Sequence, residues 1–286
     1  MLNPVWLKSF IALVQHQSFQ AAAENLGIAQ PTLSQHIQKL EQDLDVLLIR
    51  RGRSGCEPTR AALALVPSAN SILRLDKHAR EAVRGAGVRI GASSNIGIYM
   101  LQPYLRAFRD DKASPDVDLV IDNNPSIARQ LTIGELDIAI MEWWQPKPGF
   151  LAQDWRREQM VLIVPPDHPC ADLQSIDRDT LAEMTLLGGE PGTGTGRLLA
   201  NFFGDEGPFP KVSMQLGSTE AVKQAVKVGL GISLVLEATV REEVQAGSLR
   251  AIPVSNPGLE KELMVVYPNA LANHPPVSAF LSQLCH

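Results

Sequence analysis

Between residues 30 and 45 the chain sets Thr32, Gln35, His36 and Lys39 at intervals of three and four, with Ser34 and Gln38 beside them. Side chains at that spacing share one face of a helix. Each member donates hydrogen bonds, most also accept them, and acids (Glu41, Asp43) come only at the far end. Such a face suits base-pair edges in a DNA major groove, where glutamine bonds adenine bidentately and lysine meets guanine or a phosphate. Shortly after it, Arg50, Arg51, Arg53 and Arg60 follow with only Glu57 opposing them. Each feature also has a plain structural reading, a solvated helix face and a solvated loop. A polar helix with a basic loop next to it points to DNA, because the loop can reach the backbone or a narrow minor groove.

Other candidate chemistry fails on spacing. Gly192-Thr193-Gly194-Thr195-Gly196-Arg197 is not GxGxxG, and no Gly-Lys-Ser/Thr follows it, so both nucleotide motifs are missing. Ser218 stands in Leu-Gly-Ser-Thr rather than in a Gly-x-Ser-x-Gly elbow. The 6 histidines contain no HExxH, and Asp167-His168-Pro169 reads as a turn. The 3 cysteines, Cys56, Cys170 and Cys285, are odd in number, far apart and form no CxxC, against a disulfide framework or a zinc cluster. No catalytic residue, cofactor or metal is expected.

Several elements must position the polar face. Trp6, Phe10, Leu13 and Val14 give a first amphipathic helix. Ser18 caps a second, Phe19 to Leu26, which Gly27 ends. The third has Pro31 in its first turn and Leu33, Ile37, Leu40 and Leu44 as its buried stripe. Leu47 to Pro58, with Gly52 and Gly55 amid the arginines, reads as a short hairpin or wing. Leu65, Val66, Ala69, Ile72, Leu73, Ala79 and Val83 then repeat at helical spacing. A long helix outside a globular domain buries such a stripe on something, usually a partner copy. Pro67 interrupts it, and an interior proline costs about 3 kcal/mol unless the helix bends or starts there.

From Val88 onward strands alternate with helices. The apolar runs are 88–92, 117–121, 137–141, 160–164, 184–187, 212–216 and 232–236, with helical stretches around 96–109 and 126–134. That is the pattern of one or two open α/β sheets, which hold ligands where strand ends meet helix starts.

Composition bounds the rest. At 286 residues, two or three domains are expected. The net charge of −5 by itself argues against a general nucleic-acid binder. Its distribution is uneven. Residues 1–87 hold 10 of the 26 basic and 7 of the 31 acidic residues, a net of +3, which leaves 16 against 24, a net of −8, for the remainder. A small basic module joined to an acidic body fits those values. No apolar run approaches the roughly 20 residues of a membrane span, and the first residues lack a signal-peptide core, so a cytoplasmic location is expected.

The run SFQAAAENLGIAQPTLSQHIQKLEQDLDVLLIRRGRSG, residues 18 to 55, resembles the LysR-type transcriptional regulators. Their pattern matches Ser18-Phe19, Ala22-Ala23, Leu26, Gln30-Pro31, Leu33-Ser34, Ile37, Leu40-Glu41 and Leu44, with Arg51 as the wing arginine. VRIGASS, GELDIAIME, the Pro-Gly-Thr-Gly loop at 191–194, LGSTEAVKQAVKVGLGISL and a late GSL extend the resemblance over essentially the whole chain. Ala29 and Asp45 replace a serine and a glycine of the pattern. Thr59-Arg60-Ala61-Ala62 stands for Thr-Glu-Ala-Gly, and Gln35 and Gln38 stand where many relatives carry arginine. Base preference therefore does not transfer.

The resemblance implies a winged helix-turn-helix (1–58), a linker dimerisation helix (59–87) and a periplasmic-binding-protein-like α/β effector domain (88–286). That domain would have one subdomain of 88–162 plus 266–286 and another of 163–265, joined by crossing strands near 160–164 and 263–267. It also implies DNA contacts from Gln30, Pro31, Thr32, Ser34, Gln35, Lys39, Arg51 and Arg53. A small anionic effector would sit among Ser93, Ser94, Asn95, Asn124, Ser126, Thr193 and Thr195, residues that equally serve as helix caps. Partners implied are double-stranded promoter DNA, a second copy within a dimer or dimer of dimers, and RNA polymerase. A small-molecule-binding enzyme or solute-binding protein with a helical dimerisation arm is the alternative.

Overall fold

The computed structural model describes residues 2–52, 55–83, 87–110, 115–189, 193–204, 208–255 and 258–284, without the side chains of 51, 78 and 81–83. The helix α1 (Pro4–His16) starts at Asn3, whose side chain accepts the Val5 N–H. In α2 (Phe19–Leu26) the Ser18 hydroxyl accepts the Ala21 N–H, and Gly27 at φ 64° closes the helix where a side chain would be strained. Next comes α3 (Gln30–Leu44), which buries Leu33, Ile37 and Leu40 against Leu7, Phe10 and Leu13. It ends at Asp45 in the left-handed region (φ 49°), a conformation aspartate tolerates and glycine adopts freely. Strands β1 (Ile49–Gly52) and β2 (Gly55–Pro58) form an antiparallel hairpin with Arg50 opposite Glu57 and Arg51 opposite Cys56.

The long helix α4 (Arg60–Val83) runs continuously through Pro67. Much of its stripe packs on its own chain, whereas Ala79 is exposed. Ala62 and Ala69 are fully buried in the amino-terminal core, and Leu65, Val66, Ile72 and Leu73 pack on it. Among the described residues, the large apolar side chains that α4 exposes are Leu63 (58%) and Leu75 (46%).

The first lobe of the remainder contains β3 (Val88–Ser93), α5 (Ser94–Tyr99), α6 (Gln102–Asp110), β4 (Val117–Asp122), α7 (Asn124–Ile133) and β5 (Ile138–Met141). After β6 (Phe150–Val164) the second lobe follows: α8 (Arg178–Glu183), β7 (Thr185–Leu187), α9 (Gly194–Phe203), β8 (Lys211–Met214), α10 (Thr219–Lys227), β9 (Ser233–Leu236), α11 (Arg241–Gln245) and β10 (Arg250–Pro253). The chain returns through β11 (Glu260–Pro268) and ends in α12 (Pro275–Leu284).

Strand order across the main sheet is β10-β6-β11-β5-β3-β4, with β9 also on β6. The strand β3 sits between β4 and β5 and runs parallel to both, pairings that need crossover connections such as α5–α6 and α7. The strand β6 serves both lobes. Phe150–Gln159 pair with β11, whereas Val161–Val164 pair with β10 on one side and Met160–Ile163 with β9 on the other. The return crossing precedes β11: Met264 and Val265 pair with Met141 and Ile140 of β5, so 263–265 lie in the first lobe's sheet rather than the second's.

Candidate nucleic-acid interface and effector cleft

With its apolar stripe buried, α3 turns Gln30, Pro31, Gln35, Gln38 and Lys39 to solvent, and Thr32 and Ser34 are half-buried beside them. His36 leaves this face. Its Nδ1 lies 2.8 Å from the hydroxyl of buried Ser9 on α1, where it fastens α3 to the domain. Ala29 gives α3 no side-chain cap. Lys39 Nζ stands 5.8 Å from the Trp6 ring.

A residue that sequence reasoning did not assign fixes the hairpin to α3. Glu41 Oε1 accepts the N–H groups of Leu48 (2.7 Å) and Ile49 (3.0 Å), which enter β1. The hairpin is also tied to α1's end by the Cys56 N–H donating to Gln17 O at 3.2 Å. Arg50 is exposed on β1, and Arg51 follows in the ladder. The Arg51 side chain and all of Arg53 lie outside the described residues.

Between the lobes lies a cleft of about 360 Å³. It brings together six of the sequence candidates, Ser93, Ser94, Asn95, Asn124, Thr193 and Thr195. Ser126 is not among its lining: its hydroxyl donates to Asp122 and its N–H to Asn123. The Ser126 hydrogen bond in turn holds the Asp122 carboxyl below its ordinary range.

Buried Ser93 donates to Asn124 Oδ1 (2.7 Å), which also receives the Glu142 N–H (2.9 Å), while Asn124 Nδ2 donates to Trp143 O (2.9 Å). These bonds lock the ends of β3 and β5 to the start of α7. Thr193 acts as the cap of α9, its hydroxyl accepting the Gly196 N–H at 3.0 Å.

Sequence reasoning missed the charged members of the cleft. Glu142, directly after the GELDIAIM run, accepts from Asn95 Nδ2 (3.1 Å) and pairs with the almost fully buried Lys261 of β11 (2.7 Å). Gly194 of the second lobe abuts this pair, since a Cβ there would come within 2.2 Å of Glu142 Oε2. Across the cleft, Thr219 donates to Asn95 Oδ1 (2.7 Å) and Tyr99 to Glu220 (3.3 Å). Glu220 is held down to about 2, first by a hydrogen bond from Gln224 and then by Lys223. Burial pulls the Lys223 ammonium down, but Glu243 and Glu220, both at 2.9 Å, outweigh that and keep it above the usual lysine value. Arg197 of α9 lies 4.4 Å over the Trp143 ring of the first lobe. The cleft is thus lined by hydroxyls, amides and helix starts, with Ser93, Asn95, Asn124 and Thr219 already bonded to neighbours, and its carboxylates are paired with lysines.

Two family models match the chain: "Bacterial regulatory helix-turn-helix protein, lysR family" over residues 5–63, and "LysR substrate binding domain" over residues 83–285. A putative HTH-type transcriptional regulator, PtxE of Stutzerimonas stutzeri, is 54% identical over 196 residues, 68% of this chain and all of PtxE. The transcriptional regulator CbbR of Rhizobium meliloti (strain 1021) is 31% identical over 91% of this chain and 85% of its own. Among solved structures, a full-length OxyR variant from Pseudomonas aeruginosa superposes with a TM-score of 0.68 at 26% identity, over 99% of this chain and 95% of its own.

Proposed function

The chain belongs to the LysR family of DNA-binding transcriptional regulators, and we propose that it reads promoter DNA with the exposed flank of α3 under control of a small anionic metabolite in the interlobe cleft. One observation carries the DNA reading: the hydrogen-bonding flank of α3 is solvent-exposed and is fastened by Glu41 to a hairpin with consecutive arginines. In this reading Gln30, Pro31, Thr32, Ser34 and Gln35 meet base edges, and Lys39, Arg51 and Arg53 meet phosphates. The effector contacts Ser93, Ser94, Asn95, Asn124, Thr193 and Thr195.

Control then passes along α7. Asn124 and Pro125 at its start line the cleft. At its other end Arg74 and Lys77 of α4 reach Thr132 O (3.4 Å) and Gly134 O (3.5 Å), where the helix dipole favours cations. A ligand that prefers one arrangement of α7 and α4 shifts the population of DNA-binding geometries by that preference and no more. We assign to this route a DNA-binding domain to residue 58, a linker to 87 and a two-lobe effector domain beyond it. We assign dimers and dimers of dimers, a cytoplasmic location and contact with RNA polymerase to the same reading.

The test is fluorescence anisotropy with the chain's own upstream DNA as a function of salt. Binding with a steep negative dependence on log[salt] is expected, and Gln35→Ala should cut discrimination between sites while keeping that slope. Salt-independent or absent binding would refute the DNA reading.

A further inference from the structure

An anion in the cleft would meet helix-start N–H groups, and a cationic side chain at the edge would add charge selection. Lys261 is held by Glu142 at 2.7 Å, and Lys223 by Glu220 and Glu243 at 2.9 Å each, so neither has charge to spare. Arg197 differs. Among the described residues it forms no ion pair, and it is exposed. It stands one turn into α9, whose cap Thr193 and first residues Gly194 and Thr195 line the cleft. Helical side chains lean toward their helix's N-terminus, and this one, outside the cleft's own lining, comes to rest at its edge on a lining residue. Its guanidinium arrives 4.4 Å above Trp143, a lining residue of the opposite lobe. Stacking on an aromatic face leaves the planar fork of N–H donors free at its edge, the geometry that takes a carboxylate or phosphate bidentately.

We propose that Arg197 is the charge-selecting residue of the effector cleft: stacked on Trp143, it grips the anionic oxygens of a ligand whose other polar atoms meet the Ser94–Asn95 side. The proposal rests on the cleft being the effector site, and it names the ligand's chemistry as a carboxylate or a tetrahedral oxyanion. It also gives the pair a positional role, because a ligand held by Arg197 and by Ser94 touches both lobes at once.

Thermal unfolding and calorimetric titration of the full-length chain test it, with sodium acetate, phosphate and sulfate compared with chloride at constant ionic strength. A saturable stabilisation by acetate identifies the carboxylate class, and one by phosphate or sulfate the oxyanion class. In Arg197→Ala the midpoint concentration should rise by about tenfold or more. Arg197→Lys, which keeps the charge but not the fork, should fall between, whereas Arg129→Ala, an exposed arginine of α7, should match the wild type. A wild-type midpoint in Arg197→Ala overturns the assignment, as does a wild-type chain that none of the three anions stabilises beyond chloride. DNA binding by the wild type is measured separately, so failure of the regulator reading is distinguishable from failure of this one.

Discussion

The Glu142–Lys261 pair offers the sharpest energetic test of the cleft. Its side chains are 10% and 5% exposed and meet at 2.7 Å, and among the described residues the Asn95 amide is Glu142's other side-chain partner. Lys261→Met leaves a desolvated carboxylate with that amide alone. Breaking a buried pair costs about 3–5 kcal/mol, and the surviving Asn95 bond puts the expectation near the lower end, about 3 kcal/mol. Glu142→Gln keeps an oxygen that can accept from the ammonium, so it should cost less, about 2 kcal/mol, in the range of a charge-assisted hydrogen bond. The double variant removes both charges and should cost no more than about 1 kcal/mol. The cycle therefore closes with about 4 kcal/mol of compensation. Urea unfolding followed by tryptophan fluorescence is a suitable assay, because Trp143 adjoins Glu142 on the cleft wall. Singles that add to the double, or a Lys261→Met cost under about 1 kcal/mol, would refute the claim that this pair is desolvated and coupled.

Glu41→Ala removes the acceptor for the Leu48 and Ile49 N–H groups. It should destabilise the amino-terminal domain by about 2 kcal/mol in urea unfolding and weaken DNA binding further by loosening the hairpin. Arg51→Ala with Arg53→Ala should lower DNA affinity for all sequences and flatten the salt slope by about two, read from anisotropy titrations. The Glu220 carboxyl titrates at about 2 in the folded chain, below its ordinary 4.5. Its contribution to stability is therefore complete above about pH 4.5 and is lost as the pH falls toward 2. Glu220→Gln should flatten that acid limb in denaturation curves by lowering stability near neutral pH, with little change near pH 2.

Where one physical signal dominates, the sequence is readable. Leu33, Ile37 and Leu40 recur at helical spacing and are buried, and the apolar run at 138–141 is a strand buried throughout. The first ten residues of β6 carried no such signal. Gln153, Asp154, Arg156 and Arg157 lie on a ribbon that is largely exposed, and β11 pairs with that stretch, so the run reads as polar coil. The candidates Ser93 to Asn95 were legible because they follow an apolar run and open a helix. Glu142, Thr219, Glu220 and Lys261 were not, because what makes them cleft residues is proximity between segments more than 70 positions apart in sequence. The His36 side chain shows the limit within a single helix: spacing put it on the polar face, and only packing against Ser9 turned it inward.

The uninterrupted run of β6 through both lobes has a mechanical result. Neither lobe can slide or separate without tearing backbone ladders on Phe150–Val164, so the change of partners near Gln159 leaves bending as the easy deformation. Anything that fills the cleft would then act by favouring one bend of the two lobes over another.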